Sequence, residues 1–129
     1  MICYVVAETN QDESRAALTP TSAAGLVKLG LTVQAQPGLG AKAHYPDADY
    51  AEAGVELVAD HAAALGAADL VLRVRKPSPE DIAGMKRGSW HVSFLDPFNE
   101  KDLIGSFSSA GVNAVSLEMI PRTTLAQKM

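Results

Sequence analysis

Short runs of β-branched and aliphatic residues alternate with alanine-rich stretches along the whole chain. That alternation predicts an α/β protein. Ile2–Ala7 is a continuous apolar run of strand length. Thr19-Pro20 is a helix start, a capping side chain followed by a proline whose missing N–H costs nothing in the first turn. The helix it opens is expected through Lys28, with Gly30 free to take the left-handed conformation that ends it. Leu31–Gln36 reads as a second strand closed by Pro37-Gly38, and a helix is expected from Pro46 to Gly54, then a short strand, Val55–Val58. Asp60 caps a helix through Ala67, and Asp69–Val74 is the next strand. Pro79–Lys86 is a short helix stopped by Gly88, and Trp90–Leu95 is a strand. Asn99 caps a helix reaching Ala110, Gly111 ends it, and Val112–Leu117 is the last strand.

Strand–helix–strand alternation with short connections implies right-handed crossovers. The predicted fold is α/β, a doubly wound, mostly parallel sheet of five or six strands with helices on both faces, flavodoxin-like or Rossmann-like. Ligands in such sheets bind beyond the carboxyl ends of the strands. The segments expected there are Glu8–Arg15, Arg73–Lys76, Asp96–Asn99 and Glu118–Arg122.

At 129 residues the chain has the length of one domain. An apolar content of 47% against 20% charged residues excludes disordered and fibrous classes. A net charge of −4 argues against nucleic acid and anionic membrane surfaces as partners. The single cysteine, Cys3, excludes an internal disulfide and a thiolate zinc cluster, and the reducing cytoplasm is the expected compartment. No apolar stretch is long enough to span a bilayer, and the run Ile2–Ala7 lacks the basic flank of a signal peptide.

The segment Gly38-Leu39-Gly40-Ala41-Lys42-Ala43 follows a strand and matches a dinucleotide fingerprint, with Glu56 near the distance of a ribose-binding acid. A true fingerprint opens a helix whose N-terminus faces the pyrophosphate, and Pro46 interrupts any such helix within two turns. An ordinary glycine turn is expected instead. His44, His61 and His91 share no metal-ligand spacing, so no metal site is expected. On the strand Trp90–Leu95, Trp90, Val92 and Phe94 fall on one face and His91 and Ser93 on the other. A Ser93–His91–Asp96 catalytic set would need a nucleophile on a strained turn, which nothing signals. His91 is expected to be a partly buried, satisfied side chain, Cys3 a core thiol, and no catalytic residue is assigned. Arg73 and Arg75 share parity at a strand end and Lys76 follows. The trio reads either as a carboxylate or anion clamp or as a solvated strand end.

Glu13-Ser14-Arg15-Ala16-Ala17-Leu18-Thr19-Pro20, then Lys28-Leu29-Gly30, Gly38-Leu39-Gly40 and the tail Glu118–Gln127, resemble the N-terminal region shared by alanine dehydrogenase and the α subunit of proton-translocating NAD(P) transhydrogenase. The likeness runs in order along the whole chain. The tail Met119-Ile120-Pro121-Arg122 through Ala126-Gln127 is similar to the transhydrogenase loop in which an arginine, a glutamine and an aspartate contact NAD(H). Arg122 and Gln127 match the first two, and the third would fall just beyond Met129. In alanine dehydrogenases an arginine, a lysine and a histidine surround pyruvate. Arg15 matches the arginine, but Arg75 and Asp96 stand where the lysine and histidine would be, which disfavours that activity.

The resemblance implies that residues 1–129 are the first lobe of an NAD(H)-binding component. The Rossmann domain carrying the true glycine fingerprint, the NADP-binding part and the membrane part would lie elsewhere. It implies hydride transfer between NAD(H) and NADP(H) for the parent protein, a homodimeric parent, and a cytoplasmic location peripheral to the inner membrane through partners. Arg15 and Arg75 are possible anion or substrate contacts. Weak or no NAD(H) binding is expected from these residues alone, because the phosphate cradle is missing. The alternatives are a fragment of an alanine dehydrogenase-type enzyme and a stand-alone, non-catalytic binding module.

Overall fold

A computed structural model describes residues 1–7, 17–94 and 101–116. Six strands form one sheet: β1 (Ile2–Val5), β2 (Thr32–Ala35), β3 (Glu56–Leu57), β4 (Leu70–Arg75), β5 (Trp90–Phe94) and β6 (Asn113–Ser116). Their order is β3-β2-β1-β4-β5-β6, and every pairing is parallel. Of the two layouts expected, this is the Rossmann order, in which the chain reverses direction across the sheet between β1 and β4.

Five helices connect the strands: α1 (Pro20–Lys28), α2 (Asp47–Glu52), α3 (His61–Ala67), α4 (Pro79–Gly84) and α5 (Lys101–Ala110). Right-handed crossovers put α1 and α2 on one face and α3, α4 and α5 on the other. The caps at Thr19 and Asp60 and the glycines that end α1 and α5 are those expected, and Ser78 adds a cap that was not. Thr19 accepts from Ser22 N, Asp60 from Ala63 N and Ser78 from Asp81 N, and Gly30 and Gly111 take positive φ after α1 and α5. Several boundaries are tighter than expected, those of β1, α2 and α4 among them. β1 ends at Val5. α2 starts only at Asp47, with Pro46 as its N-cap. α4 stops at Gly84 because Met85 turns to extended backbone and drops into the core. The expected cap Asn99 lies outside the described residues.

Successive residues of a strand face opposite sides, so each central strand feeds two cores. Cys3 and Val5 join Val33, Ala35, Leu39 and Tyr50 beneath α1 and α2. Tyr4 and Val6 join Val71, Leu65, Ile82 and Phe107 beneath α3, α4 and α5.

Candidate functional site

The reversal between β1 and β4 opens a crevice at their carboxyl ends, the place where a sheet of this topology takes a ligand. Among the described residues, Val6 and Ala7 follow β1 at that edge and Val74, Arg75 and Lys76 stand at the end of β4, with Val6 and Val74 buried and Arg75 and Lys76 exposed. Gln36, after β2, holds Ala7: its Oε1 accepts from Ala7 N at 3.0 Å. Of the four loops expected at this edge, Arg73–Lys76 is described. Arg15, Asp96, Arg122 and Gln127 lie outside the described residues.

Arg73 and Arg75 of β4 and Lys76 after it differ in their surroundings. Leu72 is opposite Val92 and Arg75 opposite Phe94, so β4 spends three residues where β5 spends two. This bulge breaks the parity expected of Arg73 and Arg75. Arg73 keeps its side chain 10% exposed and pairs with Asp81 of α4 at 3.2 Å, whereas Arg75 and Lys76 are exposed at the crevice. Arg73 is therefore a structural cation, while Arg75 and Lys76 are exposed at the carboxyl end of β4.

Beneath that edge runs a polar chain that sequence reasoning missed. The Tyr4 hydroxyl lies 2.8 Å from His61 Nδ1, and His61 Nε2 lies 3.2 Å from Asp81 Oδ1. Asp81 Oδ2 accepts from Arg73. Burial, with the Asp81 charge adding to it, pushes the Tyr4 phenol up to about 12, so Tyr4 keeps its proton beside the ring. The chain ties β1, α3, α4 and β4 together directly under the crevice. The only available signal was the odd-numbered parity of Val71 and Arg73, which puts Arg73 on the α4 side.

His91 is not partly buried and satisfied but fully buried. Its Nε2 lies 2.8 Å from Ser93 Oγ, its ring lies against Phe107 at 5.1 Å, and its Nδ1 has no partner among the described residues. Burial, helped by the Arg73 charge, lowers its pKa to about 3 and keeps the imidazole neutral. Ser93 is equally buried, so the pair faces no solvent from which a substrate could come. Cys3 is a core thiol, as expected, with burial raising its pKa to about 11.

The glycine loop is a turn. Ala41–Ala43 makes one 3-10 turn ended by His44 at φ 67, and no helix points from it toward a ligand. Gly40 is required by packing, since a Cβ there would stand 2.6 Å from the Tyr50 hydroxyl, which donates to Leu18 O. Gly38 N donates to Asp47 Oδ1 at 2.9 Å, so a carboxylate already occupies the place a phosphate would need. Tested against a dinucleotide, the described residues supply exposed cations at the carboxyl end of β4 and no diphosphate cradle. Among them, no three His, Cys, Asp or Glu side chains are grouped to hold a metal ion, and no helix is long and apolar enough to cross a membrane.

Residues 4–129 match the family described as alanine dehydrogenase/PNT, N-terminal domain. The chain belongs to that family. Within it, the chain is 38% identical over 122 residues to the NAD(P) transhydrogenase subunit alpha of Cereibacter sphaeroides, covering 95% of this chain and 23% of that protein. It is 34% identical over 113 residues to the alanine dehydrogenase of Halomonas elongata, covering 88% of this chain and 30% of that one. The crystal structure of transhydrogenase from Sinorhizobium meliloti superposes with a TM-score of 0.93 at 32% identity, over all of this chain and 38% of that chain. This alanine dehydrogenase/PNT domain thus spans about a quarter of the length of its curated transhydrogenase relative.

Proposed function

We propose that this domain is the first lobe of the NAD(H)-binding component of a proton-translocating NAD(P) transhydrogenase. It forms one wall of the cleft over the nicotinamide end of NAD(H), and a second, Rossmann domain grips the diphosphate. The observation that carries this reading is the division of labour at the crevice. Arg75 and Lys76 offer cationic donors at the β1/β4 reversal, while the one glycine-rich loop is closed off by Tyr50 and Asp47. Hydride transfer between NAD(H) and NADP(H) then needs the remaining domains, and these residues alone are inactive. In this reading Arg122 and Gln127 are the NAD(H) contacts, and Arg15 and Arg75 are anion or substrate contacts. The parent is a homodimer, cytoplasmic and held at the inner membrane by its NADP-binding and membrane components.

Calorimetric or NMR titration with NADH tests the reading. The 129-residue chain should show no saturation in the micromolar range, because helix-terminus phosphate binding carries much of dinucleotide recognition. Micromolar affinity from this chain alone overturns it.

A second reading rests on the likeness to alanine dehydrogenases. It is weaker because Arg75 stands at the lysine position, and a guanidinium holds its proton near neutral pH. Turnover of pyruvate, ammonia and NADH by the longer polypeptide would favour it.

A further inference from the structure

Histidine changes both its charge and its hydrogen-bonding role in a single protonation step. His61 stands where that step is felt on two other elements. It opens α3, and its ring nitrogens face different partners: Nδ1 lies 2.8 Å from the Tyr4 hydroxyl of β1, and Nε2 lies 3.2 Å from Asp81 Oδ1 of α4. The other Asp81 oxygen accepts from Arg73 of β4 at 3.2 Å. The His61 side chain is 29% exposed, so a solvent proton reaches it, whereas Tyr4 is fully buried. Paired with a guanidinium, the Asp81 carboxylate only accepts, so Nε2 is the nitrogen that carries hydrogen. A neutral ring then has a lone pair at Nδ1. Tyr4, whose phenol is kept protonated by burial, donates into it. The neutral ring thus satisfies both neighbours.

We propose that His61 is a proton-responsive latch, closed when its ring is neutral, that ties β1 and α3 to the carboxyl end of β4. A proton taken from solvent onto Nδ1 turns that nitrogen into a donor. The Tyr4 oxygen must then accept, and its own hydrogen turns away from its one partner among the described residues. A buried donor is left unsatisfied. The cationic ring also draws on Asp81 in competition with Arg73. Arg73 lies where β4 slips against β5, between Leu72 and Arg75, so its tether to α4 steadies the strand at the point where the ladder is irregular. The charges around the ring pull both ways. Asp81 of α4 and Asp60, just ahead of α3, favour the cation, while Arg73 of β4 and the N-terminus of α3 oppose it. The Tyr4 hydroxyl, which can donate only to the neutral ring, adds to that opposition. The latch is independent of whether the crevice takes nucleotide.

Nitrogen-15 NMR of the histidine rings in the 129-residue chain tests the latch. At pH above its titration, His61 should be the Nε2-protonated tautomer. Through that titration the backbone amides of Arg73, Val74 and Arg75 should shift with the His61 midpoint. Both readings come from the unaltered chain and stand even where a variant fails to fold. Tyr4→Phe should raise the proton affinity of His61 about fivefold, moving its midpoint to higher pH. Asp81→Asn should lower that affinity about tenfold and uncouple the β4 amides from the ring. An Nδ1-protonated neutral ring overturns the inference, as do β4 amides that ignore the His61 titration. So does a midpoint that fails to rise in Tyr4→Phe or fails to fall in Asp81→Asn.

Discussion

The two faces of the sheet hold their helices by different means. Under α1 and α2 the contact is mostly aliphatic, and the Tyr50 hydroxyl there donates to Leu18 O. Under α3, α4 and α5 an apolar cluster surrounds the chain from Tyr4 through His61 and Asp81 to Arg73, with the His91–Ser93 pair beside it. Apolar packing is non-directional and tolerates small shifts. A hydrogen-bonded chain is not so tolerant, because each partner left alone in a dry site incurs the full desolvation cost. The directional face is the one under the crevice: it fixes where β4 ends and hence where Arg75 and Lys76 stand.

Breaking the polar chain should have the largest effect. Asp81→Ala leaves the Arg73 guanidinium without its α4 carboxylate and should destabilise the domain by about 3 kcal/mol in urea unfolding. The double change Arg73→Met with Asp81→Leu should cost much less than Asp81→Ala, because a well-packed apolar pair escapes desolvation. If the double variant is the weaker, the polar chain contributes net stability and the contrast between the faces is larger still. On the aliphatic face, Gly40→Ala pushes a methyl into Tyr50 and should cost about 2 kcal/mol.

The acid response should belong to the polar face. Unfolded, His91 takes a proton near its ordinary 6.5, and folded it resists until about 3. Between those values the unfolded state binds more protons, so stability falls as pH falls, by up to ~1.4 kcal/mol per pH unit from this residue. His91→Leu should flatten that slope while leaving the difference from wild type constant above pH about 7. Equal slopes in the two proteins would show that His91 is not the group responsible. Smaller still, Tyr50→Phe should cost about 1 kcal/mol through the orphaned Leu18 carbonyl. The Cys3 thiol should react with a disulfide reagent at mild alkaline pH only as fast as the domain opens, because burial holds its pKa near 11.

The element order, the helix caps at Thr19 and Asp60, the core position of Cys3 and the turn at Gly38–Ala43 were legible along the chain. Each depends on neighbours a few residues away or on an apolar run. His91 and Ser93 were placed on one strand face, but not their complete burial, which Phe107 imposes from α5. The shared side expected of Arg73 and Arg75 failed because a bulge is set by the pairing partner β5 and leaves no mark in the local pattern. The tyrosine–histidine–aspartate–arginine chain joins positions 4, 61, 81 and 73, and no spacing rule links residues so far apart.

The sequence by itself determined the alternation of strands and helices, the absence of a phosphate-gripping helix after Gly38–Ala43, and the family to which the chain belongs. These rest on local backbone preferences and short motifs. Only the tertiary structure decided which cation pairs with α4 and which stands exposed, and which histidine is sealed in the core. Those outcomes depend on strand order and register, which bring distant residues into contact and assign each side chain its dielectric surroundings.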